Sequence, residues 1–431
     1  MAKLAHAQWS SRMGFVLAAA GSAVGLGNIW RFSYMVGDSG GAAFVLVYLA
    51  CVALVGLPIL VAEWMIGRRG QKNPINTMSD LAASHGKTRA WATIGVSGVL
   101  AAFLILSFYS VIGGWSLNYT LSSVIGTFNG QDADSIGALF SGMLGSPTTL
   151  LLWHTAFIVL VIGIVARGVT KGLESAARTM MPALVVLMLI LVGYGMTSGY
   201  FGETLSFMFS PDWDALDGGV VLAAMGQAFF TLSLGMGIMM AYGSYLGEDV
   251  NLISTARTVI LLDTAIALLA GLAIFPIVFA NGLSAGEGPG LIFVTLPLAF
   301  GNMTGGTILG LMFFLLLTFA ALTSAISLLE PVVETLEERT SMSRIVATLG
   351  SGVAVWALGV AFGSDVCERY CSVGARRCRP ALVQRMGGGA VLWLEYLRPA
   401  RHLYQQDSPA ADRPGRYPIR RLVFRAQECR D

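Results

Sequence analysis

Apolar segments long enough to cross a bilayer recur along this chain, separated by short polar stretches. A transmembrane helix needs about 20 consecutive apolar residues. Nine segments are long enough, and they lie near residues 13–36, 41–67, 90–124, 148–166, 173–199, 218–246, 255–280, 306–336 and 343–363. The pattern predicts an all-α polytopic membrane protein with about nine spans.

The charges between these segments alternate in sign from one side of the predicted membrane to the other. Basic residues follow the second, fourth, sixth and eighth spans: Arg68, Arg69, Lys72, Lys87, Arg89, Arg167, Lys171, Arg178, Arg257, Arg339 and Arg344. The opposite loops carry the acids Asp132, Asp134, Glu203, Asp212, Asp214, Asp217 and Glu287. Because Lys and Arg collect on the cytoplasmic side, we expect a multi-pass protein with a cytoplasmic N-terminus.

Composition agrees with this class. Apolar residues make up 55% of the chain, charged residues only 12%, and the mean hydropathy is +0.69; a soluble surface needs roughly twice that charge. The net charge of +2 says nothing about partners. The sequence shows no nucleophile–base constellation, no phosphate-binding loop and no metal-ligand spacing, so an enzyme is not expected.

The first span contains a stretch that cannot form a regular helix. It reads GSAVGLGNIWRF from Gly21 to Phe32. Irregular backbone at membrane depth must be buried in protein or line a watery cavity. Gly21 and Gly25 alone would fit a small-residue packing face between helices. Gly27, Asn28 and Arg31 favour a break and a binding site instead.

The sixth span repeats the anomaly, because residues 226–237 read GQAFFTLSLGMG. The two interrupted spans are five apart and therefore enter the membrane from opposite sides. Interrupted helices in corresponding positions of two inverted halves indicate the central site of a transporter. An ion channel is a weaker alternative, because the two breaks build a compact site rather than a lined pore.

These motifs, together with WSSR at residues 9–12, resemble the neurotransmitter:sodium symporter family, and most closely its bacterial amino-acid transporters. The resemblance implies an inverted five-helix repeat with discontinuous first and sixth helices, and usually twelve spans. It places the first repeat at about 10–200 and an incomplete second repeat at about 215–363. It also implies location in a bacterial inner membrane and Na⁺-coupled import by alternating access.

By the same resemblance two Na⁺ ions are expected. The first site would use Ala23, Asn28, Thr231 and Asp263, and its ion would touch the substrate carboxylate. The second would use Gly21, Val24, Ala320, Thr323 and Ser324. The alternative for the two hydroxyl residues Thr323 and Ser324 is hydrogen bonding to the preceding turn of their own helix.

The resemblance also implies the substrate site. Backbone N–H groups near Leu26 and Gly27, with the Tyr109 hydroxyl, would meet a carboxylate. The expected contacts are Ala23, Gly25, Leu26, Gly27, Ile105, Tyr109, Phe230, Thr231, Ser233, Met236, Ser324, Ser327 and Leu328. The family's monoamine carriers have an Asp where this chain has Gly25, so a substrate with its own carboxylate, an L-amino acid, is expected.

Two residues refine the expected substrate and ions. Met236 is flexible and polarisable and stands between two glycines, which favours hydrophobic or aromatic amino acids, although core packing explains a lone Met equally well. Asp263 stands where chloride-dependent relatives have neutral residues, near Tyr48, Gln227 and Thr231. Its carboxylate predicts transport that needs no chloride.

Five further residues are expected to support or gate the site. Glu63 would accept hydrogen bonds from the unwound sixth span, with a proton-relay role as the alternative. Arg31 would close the outer vestibule by pairing with an acid of the tenth helix. Glu338 matches the inner gate acid, but His6 stands where its Arg partner is expected, and Lys3 is the substitute. Gly172 and Pro182 match a Gly-x9-Pro pattern that lets the fifth span unwind.

The resemblance ends near residue 363. The remainder, 364–431, has four of the five cysteines, thirteen arginines and no lysine. We expect it to be a disordered or frame-shifted tail that replaces the tenth to twelfth helices.

Three alternatives follow: a chain that binds substrate without transporting it, a membrane-tethered module that binds anionic lipid or nucleic acid through its basic tail, and a metal site at Cys367, Cys371 and Cys378. The main prediction remains a transporter that binds no nucleic acid.

Overall fold

The computed structural model describes residues 8–283 and 290–371. Within them the chain forms helices α1 (Arg12–Ala23), α2 (Gly27–Asp38), α3 (Ala42–Gly70), α4 (Pro74–Ser84), α5 (Arg89–Val124), α6 (Ala133–Leu144), α7 (Pro147–Val165), α8 (Val169–Met196), α9 (Phe201–Phe209), α10 (Gly218–Thr231), α11 (Ile238–Ser244), α12 (Leu252–Ala280), α13 (Leu291–Asn302), α14 (Gly306–Thr340) and α15 (Arg344–Cys371). Lys3, His6 and the tail beyond residue 371 lie outside the described residues.

Both predicted interruptions are present. Helices α1 and α2 form one span bent by 49°, and α10 and α11 are separated by residues 232–237. Seven described helices, or eight spans with the bent pair, are long and apolar enough to cross a membrane. The sequence predicted nine; the difference is the sixth span, which is divided into two helices that are each too short to be counted.

Side-chain caps fix where the interrupted spans begin. The Ser11 hydroxyl accepts a hydrogen bond from the Gly14 N–H and starts α1. The Asp217 carboxylate accepts one from the Val220 N–H and starts α10. Each cap satisfies one of the N–H groups that the first turn of a helix leaves without a partner.

Helix α14 forms the centre of the described bundle. Its apolar window is 72% buried, against 33–50% for the other continuous spans. It packs against α1, α5, α8 and α15. A helix that is apolar on all sides belongs in the interior of a bundle, and this position brings α14 beside the break in the first span.

The last described helix extends past the predicted end of the membrane domain. Helix α15 continues to Cys371, whereas the sequence pattern placed the end of the ninth span near residue 363. Of the three tail cysteines considered for a metal site, Cys378 lies outside the described residues, so that alternative stays a prediction.

Candidate substrate and ion site

The break in the first span, residues 24–26, releases carbonyl groups at the end of α1. In a continuous helix each N–H would donate to the carbonyl four positions earlier. Instead the Gly25 N–H donates to Asn28 Oδ1 (3.1 Å) and the Leu26 N–H donates to the Tyr109 hydroxyl (3.3 Å). The carbonyls of Gly21 and Ser22 therefore lose the N–H partners that a continuous helix would give them.

The break in the sixth span is built from left-handed backbone. Ser233 has φ of +54°, Gly235 of +77° and Gly237 of +72°. Only glycine adopts such angles without a steric cost, so GMG at 235–237 suits an unwound segment and Ser233 is a strained exception. The Gly235 N–H donates to Glu63 Oε1 at 2.7 Å, which is the contact that the resemblance implied.

A small cavity lies between the two breaks. Its lining combines small polar groups with apolar side chains from five helices. The lining residues are Ser22, Ala23, Gly25, Gly27, Ile105, Tyr109, Phe230, Ser233, Met236, Ser324 and Leu328. All except Ser22 belong to the predicted substrate set.

Three predicted contact residues are not among those that line the cavity. The Leu26 N–H is bonded to the Tyr109 hydroxyl, so two groups predicted to meet the substrate carboxylate meet each other. Thr231 bonds to Asp263. The Ser327 hydroxyl donates to the Ser324 carbonyl at 2.8 Å, a bond within its own helix.

Gly25 allows three elements to approach closely at the cavity wall. A Cβ atom built on it would lie 2.3 Å from Ser324 Oγ and 3.0 Å from the Tyr109 hydroxyl oxygen. The first distance is too short for atoms that are not bonded, and the second is a tight contact. A larger residue at this position would therefore require the Ser324 side chain or the backbone around Gly25 to move.

The side chains of the first predicted ion site form one cluster. Asn28 Nδ2 donates to Asp263 Oδ1 at 2.8 Å, and the Thr231 hydroxyl donates to the same oxygen at 3.0 Å. Asp263 and Thr231 are fully buried. Ala23 lines the adjoining cavity. The Asp263 carboxylate and the Thr231 hydroxyl offer oxygen atoms, which suit a hard cation. The Asn28 side chain is hydrogen-bonded to the same carboxylate.

The residues of the second predicted ion site lie where α1 meets α14. The Ser324 hydroxyl is 3.5 Å from the Val24 carbonyl oxygen, and a Cβ on Gly21 would lie 3.3 Å from Thr323 Cβ. The Thr323 hydroxyl donates to the Ala320 carbonyl at 3.1 Å. Thr323 thus makes the hydrogen bond to the preceding turn of its own helix that was considered as the alternative. A hydroxyl that donates in this way still has lone pairs that can bind a cation.

Tyr48 and Gln227 are two of the neutral residues that the sequence analysis grouped with Asp263. The buried Tyr48 hydroxyl is beside Asp263 and Thr231. The Gln227 amide donates to the Gly27 carbonyl at 2.8 Å. Tyr48 thus lies against the carboxylate, whereas Gln227 contacts the start of α2; the expectation of chloride-independent transport stays a prediction.

The sequence predicted that Arg31 pairs with an acid of the tenth helix. Within the described residues its contacts are with Gln227 and Phe230 instead. Its guanidinium donates to Gln227 Oε1 at 2.9 Å and lies 5.3 Å from the centre of the Phe230 ring. A cation over an aromatic face is attracted to its π-system. Arg31 therefore holds the ring that covers the cavity, together with an amide from the sixth span.

The predicted inner gate acid contacts α4. Glu338 Oε2 accepts hydrogen bonds from the Asn73 backbone N–H at 3.0 Å and from the Asn76 amide at 3.3 Å. The gate contacts expected from His6 and Lys3 lie outside the described residues. Glu338 thus joins the end of α14 to the start of α4.

The predicted hinge of the fifth span lies in helical structure. Gly172 is in a π-helical first turn of α8, and Pro182 is inside the same helix. A Cβ on Gly172 would lie 2.2 Å from the Ile164 carbonyl oxygen. The glycine therefore allows the turn to pack closely on α7; its role in unwinding stays a prediction.

Sequence reasoning missed two features of this region. Ser22 lines the cavity. The one available signal was that a break after α1 leaves the Ser22 carbonyl without the N–H partner it would have in a continuous helix. Near the end of α14, Arg344 forms a 2.5 Å ion pair with the fully buried Glu330, and the Tyr245 hydroxyl donates to the other oxygen of that carboxylate at 2.8 Å. The signal was an acid in the middle of the eighth span.

Comparison with known proteins gives the same assignment from independent information. The family model described as the sodium:neurotransmitter symporter family matches residues 6–134 and 141–367. YhdH of Bacillus subtilis, an uncharacterized sodium-dependent transporter, is 41% identical over 82% of this chain and 77% of the relative. A sodium-dependent transporter of Haemophilus influenzae is 33% identical over 84% of each.

A solved structure is similar in both fold and sequence. The crystal structure of MhsT in complex with L-phenylalanine matches with a TM-score of 0.78 and 50% identity, over 84% of this chain and 81% of that one. A matched family model over most of the chain, the two interrupted spans and the cavity between them lead to one conclusion: this polytopic all-α membrane protein belongs to the sodium:neurotransmitter symporter family.

Proposed function

We propose that the chain imports hydrophobic or aromatic L-amino acids together with Na⁺, by alternating access and without a chloride requirement. The observation that carries this proposal is the cavity between the two breaks, which combines backbone polar groups with apolar walls. The similar MhsT structure contains L-phenylalanine, and that supports an amino acid as the ligand here.

The polar end of the cavity suits a zwitterion. Its carboxylate would face the start of α2, where N–H groups carry partial positive charge, and the Tyr109 hydroxyl. The end of α1 offers carbonyl oxygens with partial negative charge, which suit an ammonium group. A ligand that lacks either charge would make only one of these two sets of contacts, which costs affinity.

The apolar end favours a large side chain. Ile105, Phe230, Met236 and Leu328 form its walls. Met236 is held between two left-handed glycines, so the floor of the cavity rests on unwound backbone rather than on a rigid helix. Burial of an aromatic or branched aliphatic side chain against these walls would contribute about 1.5–3 kcal/mol.

Two sets of oxygen atoms would hold two Na⁺ ions. The set around Asp263 adjoins the substrate cavity. A Na⁺ ion held there would contact the substrate carboxylate, and this contact would couple binding of the ion to binding of the amino acid. The second set joins α1 to α14. The Asp263 carboxylate supplies a fixed negative charge at the first of these sites, which is the reason for expecting no chloride requirement. The family and the charge pattern support a bacterial inner membrane and a cytoplasmic N-terminus.

Binding to the purified full chain tests the proposal. Radiolabelled leucine, phenylalanine and tryptophan are offered in NaCl, sodium gluconate, KCl and potassium gluconate. We expect binding in both sodium buffers and in neither potassium buffer. Binding that also occurs in potassium would contradict sodium coupling, and binding in NaCl alone would contradict chloride independence.

Uptake into proteoliposomes separates import from binding. An inward sodium gradient should drive accumulation of the preferred amino acid, and collapse of the gradient should stop it. Sodium-dependent binding without uptake would show instead a protein that binds its ligand and does not transport it.

A further inference from the structure

The carbonyl of Ser22 is a meeting point of three spans. Ser233 Oγ donates to it at 3.0 Å and Ser324 Oγ at 3.2 Å. In a regular helix its partner would be the Leu26 N–H, which is bonded to Tyr109 instead. A buried carbonyl without a partner is unfavourable. Two serine hydroxyls from the sixth and eighth spans therefore satisfy the group that the break in α1 releases.

The side chains of Ser22 and Ser233 complete a reciprocal pair. Ser22 Oγ donates to Ser233 Oγ at 3.3 Å, while Ser233 Oγ donates to the Ser22 carbonyl. The two residues are 2% and 5% exposed, and both line the cavity. The pair is thus a direct connection between the two breaks, at the surface that the ligand would contact.

Ser233 has a second unusual property, its positive φ of +54°. A residue with a Cβ atom is disfavoured in the left-handed region, and serine has no special preference for it. The neighbouring left-handed positions are Gly235 and Gly237, which adopt this backbone freely. The bonds to Ser22 therefore stabilise Ser233, the residue of this break whose left-handed backbone is unfavourable for a side chain with a Cβ atom.

We propose that Ser22 is a positioning residue that fastens the break in the sixth span to the break in the first and holds Ser233 in its left-handed conformation. In this arrangement both breaks present their backbone groups to the same cavity. The identity of the ligand rests on the proposed function, whereas the connection itself does not depend on it.

Hydrogen–deuterium exchange of the full chain in lipid nanodiscs, without amino acid, tests the connection directly. Ser22→Ala removes the bond from Ser22 Oγ to Ser233 Oγ and keeps the Ser22 carbonyl, so it tests what the side chain adds to the connection. We expect about threefold faster exchange in residues 22–28 and 229–237. Ser116→Ala is the matched control, because the buried Ser116 hydroxyl donates only to the Gly113 carbonyl of its own helix. Unchanged exchange in Ser22→Ala would overturn the proposal.

The conformation of Ser233 is tested by two substitutions that remove the same hydroxyl. Ser233→Ala keeps a Cβ atom at a left-handed position, whereas Ser233→Gly adopts that backbone freely. We expect affinity for the amino acid to fall about tenfold in Ser233→Ala and only about threefold in Ser233→Gly. Equal losses in the two variants would show that the hydroxyl contacts the ligand and does not hold the backbone.

A double substitution identifies the partner. If Ser22 and Ser233 act through their shared bond, Ser22→Ala combined with Ser233→Ala should weaken binding no more than Ser233→Ala alone. Additive losses would contradict the pair. If the unaltered chain binds no amino acid and Ser22→Ala still accelerates exchange at both breaks, the proposed function fails while the connection stands.

Discussion

Asn28 Nδ2 donates to Asp263 Oδ1 at 2.8 Å, and this bond joins the break in the first span to the middle of the seventh. The same carboxylate accepts from the Thr231 hydroxyl in the sixth span. Asp263 therefore connects three spans at a fully buried position. A change in its charge should alter both cation binding and the arrangement of the two breaks.

Asp263→Asn should create chloride dependence. The substitution keeps the size and the hydrogen-bonding oxygen but removes the negative charge that balances nearby cations. We expect affinity for the amino acid to be about tenfold lower in sodium gluconate and restored in NaCl, as measured by radioligand binding.

Asp80→Asn is the matched control, since Asp80 forms a half-exposed ion pair with Lys72 on α4. It should bind equally in both buffers. Full affinity of Asp263→Asn in sodium gluconate, or weak binding in NaCl as well, would contradict the role given to this carboxylate.

Gly25→Ala should abolish most binding. Its Cβ would lie 2.3 Å from Ser324 Oγ, so either the serine or α1 must move, and overpacking of this kind costs about 1–3 kcal/mol. Affinity should fall about tenfold or more in an equilibrium binding assay.

Gly163→Ala provides the comparison, because nothing lies within 4 Å of a Cβ built on that helical glycine. Its affinity and thermal stability should equal those of the unaltered chain. Unchanged affinity in Gly25→Ala would show that the space beside Ser324 is not part of the binding site.

Substitutions of Glu63 separate a structural role from proton relay. Glu63→Gln keeps an oxygen that can accept from the Gly235 N–H, whereas Glu63→Ala leaves that N–H buried without a partner, at a cost of about 1–3 kcal/mol. Binding should be largely retained in Glu63→Gln and strongly reduced in Glu63→Ala.

The pH profile of uptake completes this test. An amide does not titrate between pH 5 and pH 8. If Glu63 only accepts a hydrogen bond and relays no proton, Glu63→Gln should therefore have the same pH profile of uptake as the unaltered chain. A profile that loses its pH dependence only in Glu63→Gln would favour the proton-relay alternative.

Thr323→Val should weaken the second sodium site selectively. Valine keeps the shape of the side chain and removes the hydroxyl oxygen, and Thr323 lies where α14 packs against Gly21 of α1. We expect the sodium concentration for half-maximal binding to rise about fivefold, with amino-acid affinity at saturating sodium nearly unchanged.

Thr335→Val removes a buried hydroxyl from the same helix, where it donates only to the Pro331 carbonyl. Its sodium dependence should not change. If both variants respond equally, the effect belongs to the stability of α14 and not to an ion site.

The sequence alone was sufficient for the elements that depend on local chemistry. Runs of apolar residues predicted the spans, because the bilayer sets their length, and the glycines of GSAVGLGN and GMG predicted the two breaks, because continuous helix is unfavourable there. The family and most of the cavity residues followed from the same motifs. The count of spans differed only where the sixth is divided.

Only the tertiary structure decided which groups satisfy one another across those breaks. Ser22 and Ser233 are 211 positions apart, Arg31 and Gln227 are 196 apart, and Asn73 and Glu338 are 265 apart. No local pattern encodes these partners. A broken helix must leave carbonyl and N–H groups free, and that can be read from the sequence; their partners depend on how distant spans pack together.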